Sequence, residues 1–199
     1  MNLSEMITIV RKDLHDEDSE NYRWSDAELT RHINRAVKEL SDKIPLPTRA
    51  TLPTTSGSRE IDISGISNRI MVEAVEYPVD ASPPGYQRFS IWGDTVTIVS
   101  GSEPDGSNCY VYYGALHTLD ANGSTIPTKY EDLVAAGACG YATIEMAAYA
   151  TNRVNIGGMT TPAEFRLWGS ERLGFFQERL KRLGRGQRVR SQQLFKSTD

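Results

Sequence analysis

The residues best suited to acid–base or nucleophilic chemistry are scattered along this chain. His15, His32 and His117 are its three histidines, each on a separate element and each without a recurring chemical neighbour. A general base must reach its proton and be oriented by a third group. No P-loop and no GxSxG, HExxH or GxGxxG run supplies such a set, so we expect no catalytic residues and no enzyme. The stretch Asp16-Glu17-Asp18-Ser19-Glu20-Asn21 begins like a calcium loop, with carboxylates at positions 1, 3 and 5. It then departs where that chemistry is most demanding. Asn21 stands at position 6, which needs glycine for a sharp turn, and Ala27 at position 12, which needs a bidentate glutamate. The expectation is a solvated loop between helices, with no metal and no cofactor. Cys109 and Cys139 form no CxxC pair and are expected as free, packed thiols in a reducing cytosol.

Charge is distributed unevenly. From residue 179 to the end, Arg179, Lys181, Arg182, Arg185, Arg188, Arg190 and Lys196 stand against Asp199 alone, a net of +6. A total of −4 then leaves −10 for the rest of the chain. Val189, Leu194 and Phe195 are the apolar residues after Gly186. Apolar anchors inside a basic segment suit an arm that orders on an acidic surface, either a protein groove or DNA, where cations gain affinity by releasing counterions. The −10 body argues against simple wrapping of DNA by this protein alone.

These groups need elements to position them. With 199 residues and 39% hydrophobic content, the chain can bury a real core. No apolar run after a basic start marks a signal peptide. The longest apolar helical window, residues 133–144, is too short to span a bilayer. Leu3, Ile7, Val10 and Leu14 make one helical stripe. Ser25-Asp26-Ala27-Glu28 is a capping box opening a second helix, with Leu29, Ile33, Val37, Leu40 and Ile44 on its apolar face and Pro45 and Pro47 after it. From about residue 49 to residue 116 the period falls to two. Strands are expected at 60–63, 69–77 and 109–113, and a hairpin at 89–99 turns on Gly93-Asp94. Helices return after Pro127, with Thr128 as N-cap of one and Thr161-Pro162-Ala163-Glu164 as the capping box of the next. That last helix carries Phe165, Trp168, Leu173, Phe176, Leu180 and Leu183 on one stripe, and Gly184 and Gly186 punctuate its end.

The fold class is therefore α+β. A helical bundle of order αα–β–αα (residues 1–48 and 127–184) holds an inserted small antiparallel β domain, a sandwich or open barrel (49–126), and an extended C-terminal arm follows (185–199). The helix expected over residues 129–151 is apolar on two opposite faces. Leu133, Ala136, Gly137, Gly140, Ile144 and Ala147 share one; Ala135, Ala138, Ala142, Met146 and Tyr149 share the other. Both must be covered. We read the second as a contact with a neighbouring subunit, the alternative being cover by the β domain or the N-terminal helices. Arg172 and Arg179 fall beside the aromatic stripe of the last helix, as arginine does at protein interfaces, or by snorkelling to solvent.

At the second helix the sequence resembles the head-to-tail connector, or adaptor, proteins of tailed bacteriophages. Tyr22-Arg23-Trp24-Ser25-Asp26-Ala27-Glu28-Leu29, then Ile33-Asn34-Arg35-Ala36, is similar to their opening pattern W-S/T-D-x-E-L followed by N-x-A. Val75-Glu76-Tyr77-Pro78, the Trp92-Gly93-Asp94 turn, and Ser124-Thr125-Ile126-Pro127 before an alanine-rich helix look like the subset with a β insertion. The likeness runs in order over most of residues 1–155, and the remainder matches only in ending on an arm.

The resemblance implies a structural virion protein: a homo-oligomeric ring, typically a dodecamer, beneath the portal protein. Such a ring extends the channel for genomic DNA and gives a downstream tail or neck protein its platform. It implies the virion neck as location, assembly in the host cytoplasm, and no membrane partner. The C-terminal arm would dock on the portal through Arg185, Arg188, Arg190, Leu194 and Phe195. Ala135, Ala138, Ala142, Met146 and Tyr149, with Arg172 and Arg179, would form the subunit interface. The rival reading is a nucleic-acid-binding accessory protein that uses the basic tail directly; a small hydrolase with an unrecognised site in the β domain is a third.

Overall fold

Asn2 and Ser25 begin the first two helices in the same way. In the computed structural model, which describes residues 1–150 and 162–194 (backbone alone at 150 and 186–194), helix α1 is Leu3–Asp13 and α2 is Asp26–Lys43. The Ser25 hydroxyl accepts from the Glu28 amide at 3.2 Å, and the Glu28 carboxylate accepts from the Ser25 amide at 2.7 Å. This is the reciprocal cap read from the sequence. Asn2 and Glu5 make the same exchange at 2.9 Å each way, a cap the sequence reading passed over.

The chain forms two units, Met1–Ile44 with His117–Asp199, and Pro45–Leu116. In the first, α1 and α2 are joined by α3, Glu131–Ala150, and α4, Pro162–Leu194. The stripe residues Leu29, Ile33, Val37, Leu40 and Ile44 are all buried with Met6, Val10, Phe176 and Leu180 in one core. Thr128 is not the cap of α3. Residues Thr128–Tyr130 form a 3-10 turn ahead of it, closed by Tyr130 N–H donating to the Pro127 carbonyl at 2.8 Å. The box at Thr161 lies outside the described residues, although α4 does start on Pro162, where proline's missing N–H costs nothing.

Glycines set the contact between α3 and α4. A Cβ at Gly140 would lie 2.7 Å from Leu173 Cγ and 3.1 Å from the Gly169 carbonyl, and one at Gly169 would lie 2.9 Å from Ile144. Backbone therefore approaches backbone here, and no side chain fits between. The break expected at Gly184 and the extended arm after it are corrected: α4 is 33 residues long and runs helical through Gly184 and Gly186, about 50 Å at 1.5 Å per residue. Glycine in a helix costs only about 1 kcal/mol relative to alanine, and the arginine, glutamine and leucine neighbours are good helix formers.

The second unit holds seven strands in two antiparallel sheets. One sheet has the order β1-β7-β3-β4, from Leu46–Pro53, Asn108–Ala115, Arg69–Glu76 and Tyr86–Gln87; the other is β2-β6-β5, from Glu60–Asp62, Thr95–Ile98 and Phe89–Trp92. Ile61, Val96 and Ile98 from one sheet share a core with Val75, Cys109 and Val111 from the other. The hairpin turns on Gly93, at φ 57°, and Asp94. Strand β1 begins at Leu46, earlier than the change of period at residue 49 suggested. It tolerates Pro47 and Pro53 because it is an edge strand, paired with β7 alone.

Candidate interaction surfaces

The three histidines do not meet. His117 is a satisfied core residue, its ring nitrogens 3.0 Å from the carbonyls of Ile44 and Thr125. His15 is exposed. His32 is buried on α2 with Nε2 2.6 Å from the Glu145 carboxylate of α3. Burial lowers its pKa, and the attraction of Glu145 only partly opposes that. Both cysteines are buried and free; desolvation raises both thiols, Cys139 to about 12. No cluster of His, Cys, Asp and Glu that could hold a metal occurs among the described residues.

The acidic loop has a different task. Buried Asp16 accepts from Arg11 Nη1 at 2.7 Å and from the Arg23 amide at 2.8 Å. Arg11, also buried, donates to the Trp24 carbonyl at 2.9 Å and to Asp26 at 2.7 Å, and lies 3.5 Å from the Tyr22 ring centroid. One guanidinium thus gathers the whole α1–α2 connection, and Trp24 Nε1 fastens it to the Ala142 carbonyl of α3 at 3.2 Å. The carboxylate that would head a calcium loop is committed to an arginine.

The residues expected at a subunit interface divide. Ala135, Ala138 and Ala142 are buried in the helical unit's own core, with residues of α1 and α2, so the expectation that another subunit covers them is corrected in favour of the N-terminal helices. Met146 packs partly against that core, while Tyr149 is 54% exposed. Arg172 pairs with Asp13 at 3.7 Å and sits 4.8 Å from the Trp168 ring. Arg179 is exposed, as are Lys181, Arg182 and Arg185. Leu167 and Phe175, 63% and 60% exposed on α4, were missed. Their signal was available, since both are large apolar residues lying off the helix's buried stripe. The side chains of Arg188, Arg190, Leu194 and Phe195 lie outside the described residues.

The β unit presents two surfaces. On the four-stranded sheet, Tyr112 donates to buried Glu76 at 2.6 Å, Tyr110 donates to Asp80 at 3.1 Å, and Arg49 lies 4.1 Å over the Tyr110 ring. Tyr86 meets Tyr112 edge-on at 6.0 Å. Donation to carboxylates raises both phenols, Tyr110 and Tyr112. Sequence alone offered Tyr110 and Tyr112 at spacing two, one face of a strand, without their acidic partners. On the other sheet Trp92, at the end of β5, is 90% exposed. Neither surface assembles a nucleophile with a base; the first joins tyrosines with an arginine and the second exposes a tryptophan, residue types enriched where proteins meet.

Comparison with known proteins agrees in kind. The family model described as SU10 adaptor protein matches residues 1–193, across both units. No curated protein matches. The chain belongs to the SU10 adaptor protein family, a family of bacteriophage structural adaptors and hence of virion components.

Proposed function

We propose that this member of the SU10 adaptor protein family works as a head-to-tail adaptor. It assembles in the host cytoplasm as a ring of identical subunits beneath the portal protein, extends the channel for genomic DNA, and carries a downstream tail or neck protein. Docking on the portal is assigned to the end of α4 and the residues after it. The observation that carries this is the course of α4. Gly184 lies against Lys43 of α2, and the helix then continues ten residues to Leu194, about 15 Å of further rod. Arg179, Lys181, Arg182 and Arg185 stand exposed along its approach, and Arg188 and Arg190 follow in sequence. A helix is a stiffer docking device than an extended arm, because its backbone is already ordered before binding. The rest of the chain, at −10, suits a channel along which DNA slides without adhering.

The test is capture from cells assembling the parent virus, with full-length protein and a version stopped at Gly184 as baits. Retention of a large ring-forming portal protein by the full chain alone supports the arm. Equal retention by both baits moves the docking surface elsewhere on the bundle.

The same exposed cations favour a second reading, direct binding of DNA by α4. That reading predicts uniform affinity for any duplex, falling steeply as salt rises. Protein docking predicts loss on removing Leu194 and Phe195 as well as on removing charge.

A further inference from the structure

We propose that Asn122 is a self-modification site. The Gly123 nitrogen attacks its side chain, the Asp120 carboxylate takes the proton, and the asparagine is converted to aspartate and isoaspartate. This goes beyond the adaptor reading and stands independently of it.

Asn122-Gly123 is the one asparagine–glycine pair in the sequence. Before glycine, the following nitrogen can close on an asparagine side chain with no Cβ in the way. The pair lies in the loop between Leu119 and Ser124, which face each other in an antiparallel bridge. Asn122 is exposed, and among the described residues nothing hydrogen-bonds its side-chain amide, so its carbonyl carbon is open to attack. Other asparagines are held. Asn21 donates to Asp18 at 2.9 Å and precedes Tyr22; Asn2 accepts from the Glu5 amide in a helix cap and precedes Leu3.

Asp120 supplies what the pair alone lacks. Its Oδ1 accepts from the Asn122 amide at 2.8 Å and from the Gly123 amide at 3.1 Å. A base must lie within hydrogen-bond reach of the proton it removes, and this one lies on the proton that the attacking nitrogen must lose. The Gly123 nitrogen bonds to Cγ of Asn122, the Cγ–Nδ2 bond breaks, and the proton held by Asp120 leaves with ammonia. Water then opens the resulting five-membered imide at either carbonyl. Opening at Cγ gives aspartate; opening at the backbone carbonyl gives isoaspartate, with the chain now running through the side chain. The net change is asparagine and water to aspartate and ammonia, a covalent change that adds a negative charge.

The consequence falls on α1. The Asp120 carbonyl accepts from the amide of Leu3, the first residue of that helix, at 2.9 Å. Isoaspartate lengthens the backbone two residues away and sets a second carboxylate beside Asp120, so the modified loop holds the helix less firmly.

The test incubates full-length protein, folded and urea-unfolded, and reads the gain of one mass unit at Asn122 and methyl transfer by an isoaspartyl methyltransferase. Gly123→Ala and Asp120→Asn are run beside wild type. Both keep the wild-type thermal midpoint, since a Cβ at Gly123 meets nothing within 4 Å and the Oδ1 of asparagine can still accept from both amides. The folded wild type is expected to convert at least as fast as the unfolded chain, with Asn21 unchanged. Gly123→Ala should be about tenfold slower. Asp120→Asn should be about tenfold slower near pH 6 and equal to wild type near pH 9, where hydroxide takes the proton instead. Slower conversion in the folded chain than in the unfolded one overturns the site, because the loop then protects Asn122. Equal rates for Asp120→Asn and wild type near pH 6 overturn the role of Asp120.

Discussion

Arg11 and Asp16 form a buried ion pair, 2.7 Å apart with side chains 7% and 3% exposed. Everything between α1 and α2 is organised around it. A charge out of water is tolerable only when paired and hydrogen-bonded, and here the guanidinium has two carboxylates, a carbonyl and an aromatic face. Replacing Arg11 by methionine keeps the aliphatic bulk but strands the Asp16 carboxylate. The expected loss is about 3–5 kcal/mol, read as a fall in the urea midpoint. Replacing exposed Asp18 by asparagine is expected to change that midpoint little.

The α3–α4 seam leaves no room at Gly140. Gly140→Ala gains helix propensity but drives a methyl to 2.7 Å from Leu173 Cγ and 3.1 Å from a backbone oxygen. Overpacking outweighs propensity, for a net destabilisation of about 1–3 kcal/mol. Gly174→Ala, where the new methyl meets open space, is expected to stabilise by about 0.5–1 kcal/mol. Paired thermal melts check both signs.

His32 makes the helical unit sensitive to pH. Its folded pKa is lowered by burial, so below its unfolded value of about 6.5 the unfolded chain binds the proton more readily than the fold. The stability gained from the neutral buried ring is complete above that pH and is lost as pH falls toward the folded pKa. Urea midpoints of wild type should drop between pH 7.5 and 5.5 more steeply than those of His32→Gln. Parallel curves would show that the proton goes elsewhere.

In the β unit, Tyr112→Phe removes the donor to buried Glu76 and leaves its carboxylate short of a partner. A cost of about 1–3 kcal/mol is expected, read as a fall in the denaturant midpoint of the variant against wild type.

Much of this was legible because it is local. The Ser25–Glu28 cap, the stripe from Leu29 to Ile44 and the Gly93-Asp94 turn follow from spacings that fix a periodicity or a backbone angle. What escaped is what depends on a partner distant in sequence. The two faces of α3 read alike as apolar, but only packing reveals that Ala135, Ala138 and Ala142 meet α1 and α2 while Gly140 meets α4. Asp16 resembled a ligand in a loop because Arg11, on the preceding helix, carries no mark of facing it. The glycines at 184 and 186 looked like a stop, yet their penalty is small against the propensity of their neighbours. Trp92 was read as part of a turn pattern, and its exposure emerged only once the sheet had an outside.

The central claim, a ring on the portal docked through the end of α4, is tested most directly by imaging the neck of purified virions at a resolution that traces helices. The account predicts several copies of this chain in a closed ring below the portal, with the segment after Gly184 against portal density. A neck without this chain, or a ring whose α4 ends point away from the portal, would contradict it.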